Sequence, residues 1–307
     1  MRTWEQKLLN AVSRPEVYRE VVVRSGDADI VLSVWEGAAA QPVVLFLPGT
    51  MTHPLFYEEL LTSLADAGVT AVGLHAQGHG KSPRARRPLT FATLVGNAVD
   101  AVTWCRDTYP DRPLAVLGSS QGGVVAMALA GRDRRIDAVL AHNVLDPSLP
   151  ASIEVTRFPA WLSRVYPCVI GAFRLAARLA PHIPVPFDTY LDIDRVCRDP
   201  RNAELFYTDP LGLRSYPLAF LASLFTADLS GMRDGSISCP VTVLAGRGDP
   251  LFPLAYTEQV FASIVAPDKE LLVIDSDVHL LFNEDLYAVL PHLLARLRAL
   301  TPTRTRG

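Results

Sequence analysis

The chain has 307 residues, 49% hydrophobic and 20% charged, with a net charge of −3. That is enough apolar material for one large core, or a core with an insertion, and it excludes a disordered chain or a disulfide miniprotein. The 29 basic residues nearly balance the 32 acidic ones and form no long run, so no nucleic acid and no polybasic membrane patch is implied, and the expected partner is a small molecule.

In chain order, the β-branched runs Tyr18 to Arg24 and Ile30 to Trp35 flank the turn-rich Ser25-Gly26-Asp27 and predict an N-terminal hairpin on the sheet edge. The apolar run Val43 to Leu47 is a strand ending in Pro48-Gly49-Thr50, and Phe56 to Ala67 has helical periodicity stopped by Gly68. The alternation continues with strand Thr70 to Leu74, helix Phe91 to Tyr109, strand Leu114 to Leu117, helix Gln121 to Ala130 and strand Ala138 to His142. Continuous apolar strands separated by helices predict an α/β fold, a mostly parallel twisted sheet covered on both faces.

From Asp146 to about Gly235 prolines crowd in, and apolar stretches such as Cys168 to Leu179 and Pro217 to Ala227 follow one another without strands. This reads as an inserted helical cap. The rhythm resumes with strand Val241 to Ala245, helix Leu254 to Val265, strand Glu270 to Ile274 and helix Asp285 to Leu300, before the short tail Thr301 to Gly307. The expected division is therefore a core in two parts, 1–146 and 236–307, with a cap at 147–235. Cys105, Cys168, Cys197 and Cys239 show no C-x-x-C spacing, which favours reduced thiols over a zinc site or disulfides. No signal-like stretch opens the chain and no run of about 18 apolar residues occurs, so a cytoplasmic protein without an integral membrane segment is expected, with no oligomeric state implied.

Gly118-Ser119-Ser120-Gln121-Gly122 reads G-x-S-x-G between a strand and a helix. A sharp turn there forces Ser120 into a strained conformation that only flanking glycines accommodate, and projects its hydroxyl above the sheet. A serine hydroxyl needs a base, and the base needs a carboxylate to hold its tautomer. Asp249, in Gly246-Arg247-Gly248-Asp249-Pro250, and His279, in Asp275-Ser276-Asp277-Val278-His279, each follow a strand. Open α/β sheets gather their ligands at those strand ends, and the chain order Ser, Asp, His suits the fold. Asp249 could instead cap the next helix. Asp146 is the runner-up acid, while Asp275 and Asp277 are too local to orient His279. His53 reads as a helix-start or loop hydrogen bond; His75, His142, His182 and His292 read as structural or solvent-facing. The apolar stripe Phe173, Leu175, Leu179, Phe220, Leu221, Leu224 and Phe225 reads as packing inside the cap.

These segments resemble the α/β-hydrolases, and among them the monoglyceride lipase and lysophospholipase group. Pro48-Gly49-Thr50-Met51-Thr52-His53 is similar to that group's H-G-x-G-E-H segment, with proline for the first histidine and Met51 and Thr52 for glycine and glutamate. Ala76-Gln77-Gly78-His79-Gly80-Lys81-Ser82 is similar to its R-G-H-G-x-S loop, in which the histidine fixes the loop. The resemblance spans roughly residues 20–146 and 236–300. It implies an oxyanion hole from the backbone N–H groups of Thr50 and Gln121, and a serine hydrolase that needs no cofactor or metal and takes a small-molecule acyl ester. The same triad could serve an acyltransferase, a thioesterase or a C–C bond hydrolase, and a non-catalytic ligand-binding relative is the alternative from another class.

Overall fold

Gly26 takes φ +58, the first position of a two-residue hairpin turn that a side chain resists, and Ser25 accordingly pairs with Ala28. The computed structural model describes residues 2–38, 40–84 and 88–300; the tail Thr301 to Gly307 lies outside the described residues. After a short helix α1 (Trp4–Leu8), this turn joins β1 (Tyr18–Ser25) to β2 (Ala28–Trp35). There follow β3 (Val43–Leu47), α2 (Glu58–Asp66), β4 (Thr70–His75), α3 (Phe91–Thr108), β5 (Leu114–Ser119), α4 (Gln121–Ala130) and β6 (Ala138–His142).

Residues between β6 and the next core strand form a separate run of elements. These are α5 (Tyr166–Leu179), β7 (Pro184–Pro186), α6 (Ile193–Val196), α7 (Pro200–Thr208), β8 (Ser215–Pro217) and α8 (Leu218–Leu224), with short 3-10 turns among them. The sequence predicts no strands here, yet β7 and β8 pair as an antiparallel ribbon. Proline fixes its own φ and keeps the residue before it extended; Pro184, Pro186 and Pro217 do this over stretches too short to show periodicity. The core then closes with β9 (Val241–Gly246), α9 (Leu254–Ser263), β10 (Lys269–Ile274), α10 (Leu281–Glu284) and α11 (Leu286–Arg298).

Eight strands make one sheet in the order β1-β2-β4-β3-β5-β6-β9-β10. β2 is antiparallel to β1 and β4, and the remaining pairs are parallel. β3, β4, β5 and β6 are buried at every position, as expected of strands covered on both faces. From β3 the chain steps to β4 on one side and then to β5 on the other. The crevice at this switch point lies beyond the carboxyl ends of β3 and β5, where open α/β sheets bind ligands. Pro48-Gly49-Thr50 and Ser120 leave the sheet at those two ends.

α4 is buried along its whole length, and its first turn presses on the end of β3. A Cβ at Gly122 would stand 1.9 Å from Leu47 O, a clash with backbone that cannot be relieved by a rotamer. Gly122→Ala should therefore destabilise the protein by at least about 3 kcal/mol in urea unfolding. Gly171, inside α5 with nothing within 4 Å of an added Cβ, gives the contrast: Gly171→Ala should be neutral or stabilising by up to about 1 kcal/mol.

Candidate active site

β5 ends at Ser119 and α4 begins at Gln121, so one residue makes the turn. Ser120 takes φ +51 and ψ −114, a region that costs a residue with a side chain about 1–3 kcal/mol. Its surroundings impose it: Ser120 N–H donates to His142 C=O at 2.8 Å, and its C=O accepts from Gly123 N–H at 2.8 Å. A Cβ at Gly118 would lie 2.3 Å from Gly122 O, which is why glycines flank the serine. The Ser120 hydroxyl is half-buried and has no hydrogen-bond partner among the described residues.

His279 and Asp249 come from the loops after β10 and β9, and the structure brings them together. His279 Nδ1 lies 3.0 Å from Asp249 Oδ2, with both side chains nearly inaccessible. A carboxylate only accepts, so Nδ1 carries the proton and Nε2 is left as the basic nitrogen. Asp249 Oδ1 accepts from Leu251 N–H and Phe252 N–H at 2.8 and 2.9 Å, so the aspartate does cap the following turn as well. Burial pushes its carboxyl upward, but the adjacent His279, its hydrogen bond and the Phe252 amide outweigh this and hold it below the ordinary carboxylate range. Phe252 stacks on the His279 ring, centroids 5.5 Å apart at 10°.

Asn143, a residue the sequence reading passed over, completes this cluster. It follows β6 in a left-handed conformation, φ +55, and its Nδ2 donates to Asp249 Oδ2 at 2.6 Å and reaches His142 Nε2 at 3.0 Å. The one available signal was its position at the end of an apolar strand on the ligand-binding edge. His142, expected to be merely structural, lies against the site with its ring 5.6 Å from that of His279. Burial, then the charge of His279, push it down to about 3, so it is neutral near pH 7 and adds no second cation.

Gly49 packs against the serine, since a Cβ there would be 3.7 Å from Ser120 Cβ. Thr50 Oγ1 donates to Gln121 Oε1 at 2.7 Å, which ties the two residues named as oxyanion donors. Among the described residues neither Thr50 N–H nor Gln121 N–H donates a hydrogen bond. His79 is buried, with Nδ1 at 3.0 Å from Gln77 O and Nε2 at 2.7 Å from Tyr216 OH. That is the loop-fixing role expected of it, and burial pushes the ring down to about 4.

Asp146 is not joined to His279. Its carboxylate receives Arg233 and the Ser148 N–H and hydroxyl. Asp277 pairs with Arg198 at 2.5 Å, and Asp275 is almost wholly exposed. His53 does not cap its turn through the side chain; it meets Asp209 instead, Nε2 to Oδ2 at 2.7 Å. The apolar stripe divides: Phe220, Leu221 and Leu224 are buried, whereas Leu175 and Leu179 of α5 are 57% and 78% exposed. Packing inside the cap therefore holds for α8 and fails for those two α5 leucines. All four cysteines are free thiols, with Cys168 alone exposed. Among the described residues no group of three or more His, Cys, Asp or Glu side chains is gathered as a metal site would need, and no helix is long and apolar enough to cross a membrane.

Residues 38–285 match the family described as serine aminopeptidase, S33. The chain is 27% identical over 271 residues to a monoacylglycerol lipase of Mycolicibacterium smegmatis, covering 84% of this chain and 89% of the relative. It is 22% identical over 260 residues to the Mus musculus monoglyceride lipase, covering 81% and 79%. Its fold is similar to the crystal structure of the Paleococcus ferrophilus monoacylglycerol lipase, with TM-score 0.68 and 19% identity over 87% of this chain and 99% of that one. Since the family match runs from before β3 to the end of α10 and takes in the loops that carry Ser120, Asp249 and His279, the chain belongs to the serine aminopeptidase S33 family and is an α/β-hydrolase, a serine hydrolase of the ester-cleaving kind that resembles monoglyceride lipase.

Proposed function

We propose that the protein hydrolyses a small carboxylic ester with an apolar acyl group, through an acyl-enzyme on Ser120. In this reading His279 Nε2 takes the hydroxyl proton as Ser120 Oγ attacks the carbonyl, and Asp249 holds Nδ1–H and stabilises the imidazolium. The Thr50 and Gln121 amides receive the oxyanion; His279 returns its proton to the leaving alcohol and then activates water to release the acid. Residues 147–235 act as the cap over the two core parts.

The observation that carries the reading is the pair of unspent amides beside a strained serine. Neither N–H donates a hydrogen bond among the described residues, and the two stand at residues braced to each other at 2.7 Å next to Ser120. An ester fits better than a peptide N-terminus. An α-ammonium calls for a free carboxylate, whereas Asp249, Asp146 and Asp209 already hold His279, Arg233 and His53. The monoacylglycerol lipases among the relatives point the same way for the acyl group.

Ser120→Ala should lower kcat by about a million-fold if the three residues act as a unit, and should abolish labelling by a fluorophosphonate probe. Wild-type turnover in the purified variant would end the assignment. Asp249→Asn should cost about 10⁴ in kcat. Its effect on stability has a defined pH window: a carboxyl depressed on folding contributes fully above its unfolded pKa of about 3.9, and the contribution is lost as pH falls through the lower folded value. The stability difference from wild type that the Asp249 carboxylate contributes, measured in urea, should shrink as pH falls below about 4. Across p-nitrophenyl esters from acetyl to palmitoyl, run beside monoacylglycerols, kcat/KM should favour the longer acyl chains; a sharp preference for acetyl would remove the lipid-like substrate class.

A further inference from the structure

Met51, directly after Thr50, has φ +62, a left-handed conformation that a residue with a Cβ keeps only where its surroundings dictate it. Both of its backbone polar groups are engaged from the far side of the cap–core seam. Met51 N–H donates to Tyr216 OH at 3.1 Å, and Met51 C=O accepts from Leu213 N–H at 3.0 Å. Next along the loop, His53 meets Asp209 at 2.7 Å. Residues 209–216 thus hold the loop 51–53 at three points.

Tyr216 also reaches the other amide-bearing residue, since Gln121 Nε2 donates to its hydroxyl at 3.3 Å. A phenolic oxygen has one proton to give and two lone pairs. Met51 N–H and Gln121 Nε2–H can only donate, so they fill both lone pairs, and the proton goes to His79 Nε2 at 2.7 Å. His79 is then the Nδ1–H tautomer, donating to Gln77 C=O at 3.0 Å. Tyr216 is fully buried, with 0% exposure, and every hydrogen-bonding capacity of its hydroxyl is used.

We infer that Tyr216 is a positioning residue for the oxyanion hole: its hydroxyl sets the spacing between the Thr50 and Gln121 amides by binding Met51 N–H and the Gln121 side chain at once. The inference rests on the reading of those two amides as the oxyanion donors. Such donors act only when held within hydrogen-bond distance of the developing charge, and of the two bonds that hold the strained residue after Thr50, the Tyr216 hydroxyl makes the one to its N–H, on the Thr50 side. A purely structural tyrosine would work through its ring, which packs on Phe220 with centroids 4.1 Å apart, and a phenylalanine keeps that packing.

The test is Tyr216→Phe in the full chain, assayed on a p-nitrophenyl ester for kcat and KM and against an alkyl trifluoromethyl ketone, whose adduct with an active serine mimics the tetrahedral intermediate. The expected result is a kcat lowered by about 10- to 100-fold, a KM changed by less than about twofold, and a Ki for the ketone raised in proportion to the loss in kcat. A folded Tyr216→Phe with wild-type kcat and Ki overturns the inference. Ser120→Ala, run in parallel, separates the two failures: activity surviving there removes the reading of the site itself, whereas its loss beside an unaffected Tyr216→Phe removes only the role of Tyr216. Should Tyr216→Phe not fold, Gln121→Met keeps the amide at position 121 and deletes its ties to Tyr216 and Thr50. The same split between kcat and KM is expected there, and an unchanged kcat overturns the proposal.

Discussion

A single-residue turn between β5 and α4 sets the geometry of the strand ends where the candidate site lies. With only Ser120 to reverse from strand to helix, the backbone is driven into φ +51, and the first turn of α4 is pressed so closely on the end of β3 that Gly122 has no room for a Cβ beside Leu47 O. That closeness has two results. It brings the Gln121 amide, at the positive end of a helix, alongside the loop that leaves β3, and it lifts the Ser120 hydroxyl clear of competing partners. The strain of about 1–3 kcal/mol is small against the burial of β3, β5 and β6 at every position. The sheet can therefore hold a conformation that an isolated turn would abandon.

The electrostatic arrangement beside the serine depends on the same burial. A carboxylate out of water would ordinarily gain a proton, yet Asp249 receives two backbone N–H groups on one oxygen and Asn143 and His279 on the other, and stays ionised. Asn143 can only donate through Nδ2, so it competes for Asp249 without ever offering His279 a second acceptor, and the imidazole proton is kept on Nδ1. His142, close enough to oppose the charging of His279, is instead made neutral by its own burial. Phe252 closes one ring face, which limits rotation of the base without adding charge.

How much of this could be read from the sequence follows from how far each signal reaches along the chain. The placement of Ser120, Asp249 and His279 is legible because each lies in the loop that leaves a strand's carboxyl end, and strand ends on one edge of a parallel sheet converge whatever the helices do. Asn143 sits in an equivalent place but belongs to no motif, and its value appears only when Asp249, 106 positions away, folds onto it. For His53 the helix-start alternative fails and a loop hydrogen bond is made, but its partner, Asp209, is 156 positions distant and could not be named from the sequence. Periodicity in α5 correctly gave a helix with an apolar face. It could not say that, within the helix, Tyr166 and Ala177 alone would be buried while Leu175 and Leu179 stayed in solvent.

The segment between β6 and β9 is accordingly two things at once. Its middle stretch is built into the loops that carry Asp249 and His279. Arg195 donates to the carbonyls of Pro250 and Leu251 beside Asp249, and Glu284, shortly after His279, accepts from Arg198 N–H, Asp199 N–H and Asn202. Residues 209–216 then clasp the loop after β3. The loops of Asp249, His279 and Thr50 thus each touch this segment, and lifting it as one rigid flap would break all of these bonds together. α5 packs on α8 and is pinned at its first residue, where Tyr166 OH donates to Pro147 C=O at 2.8 Å and accepts from the Ser152 hydroxyl at 2.9 Å.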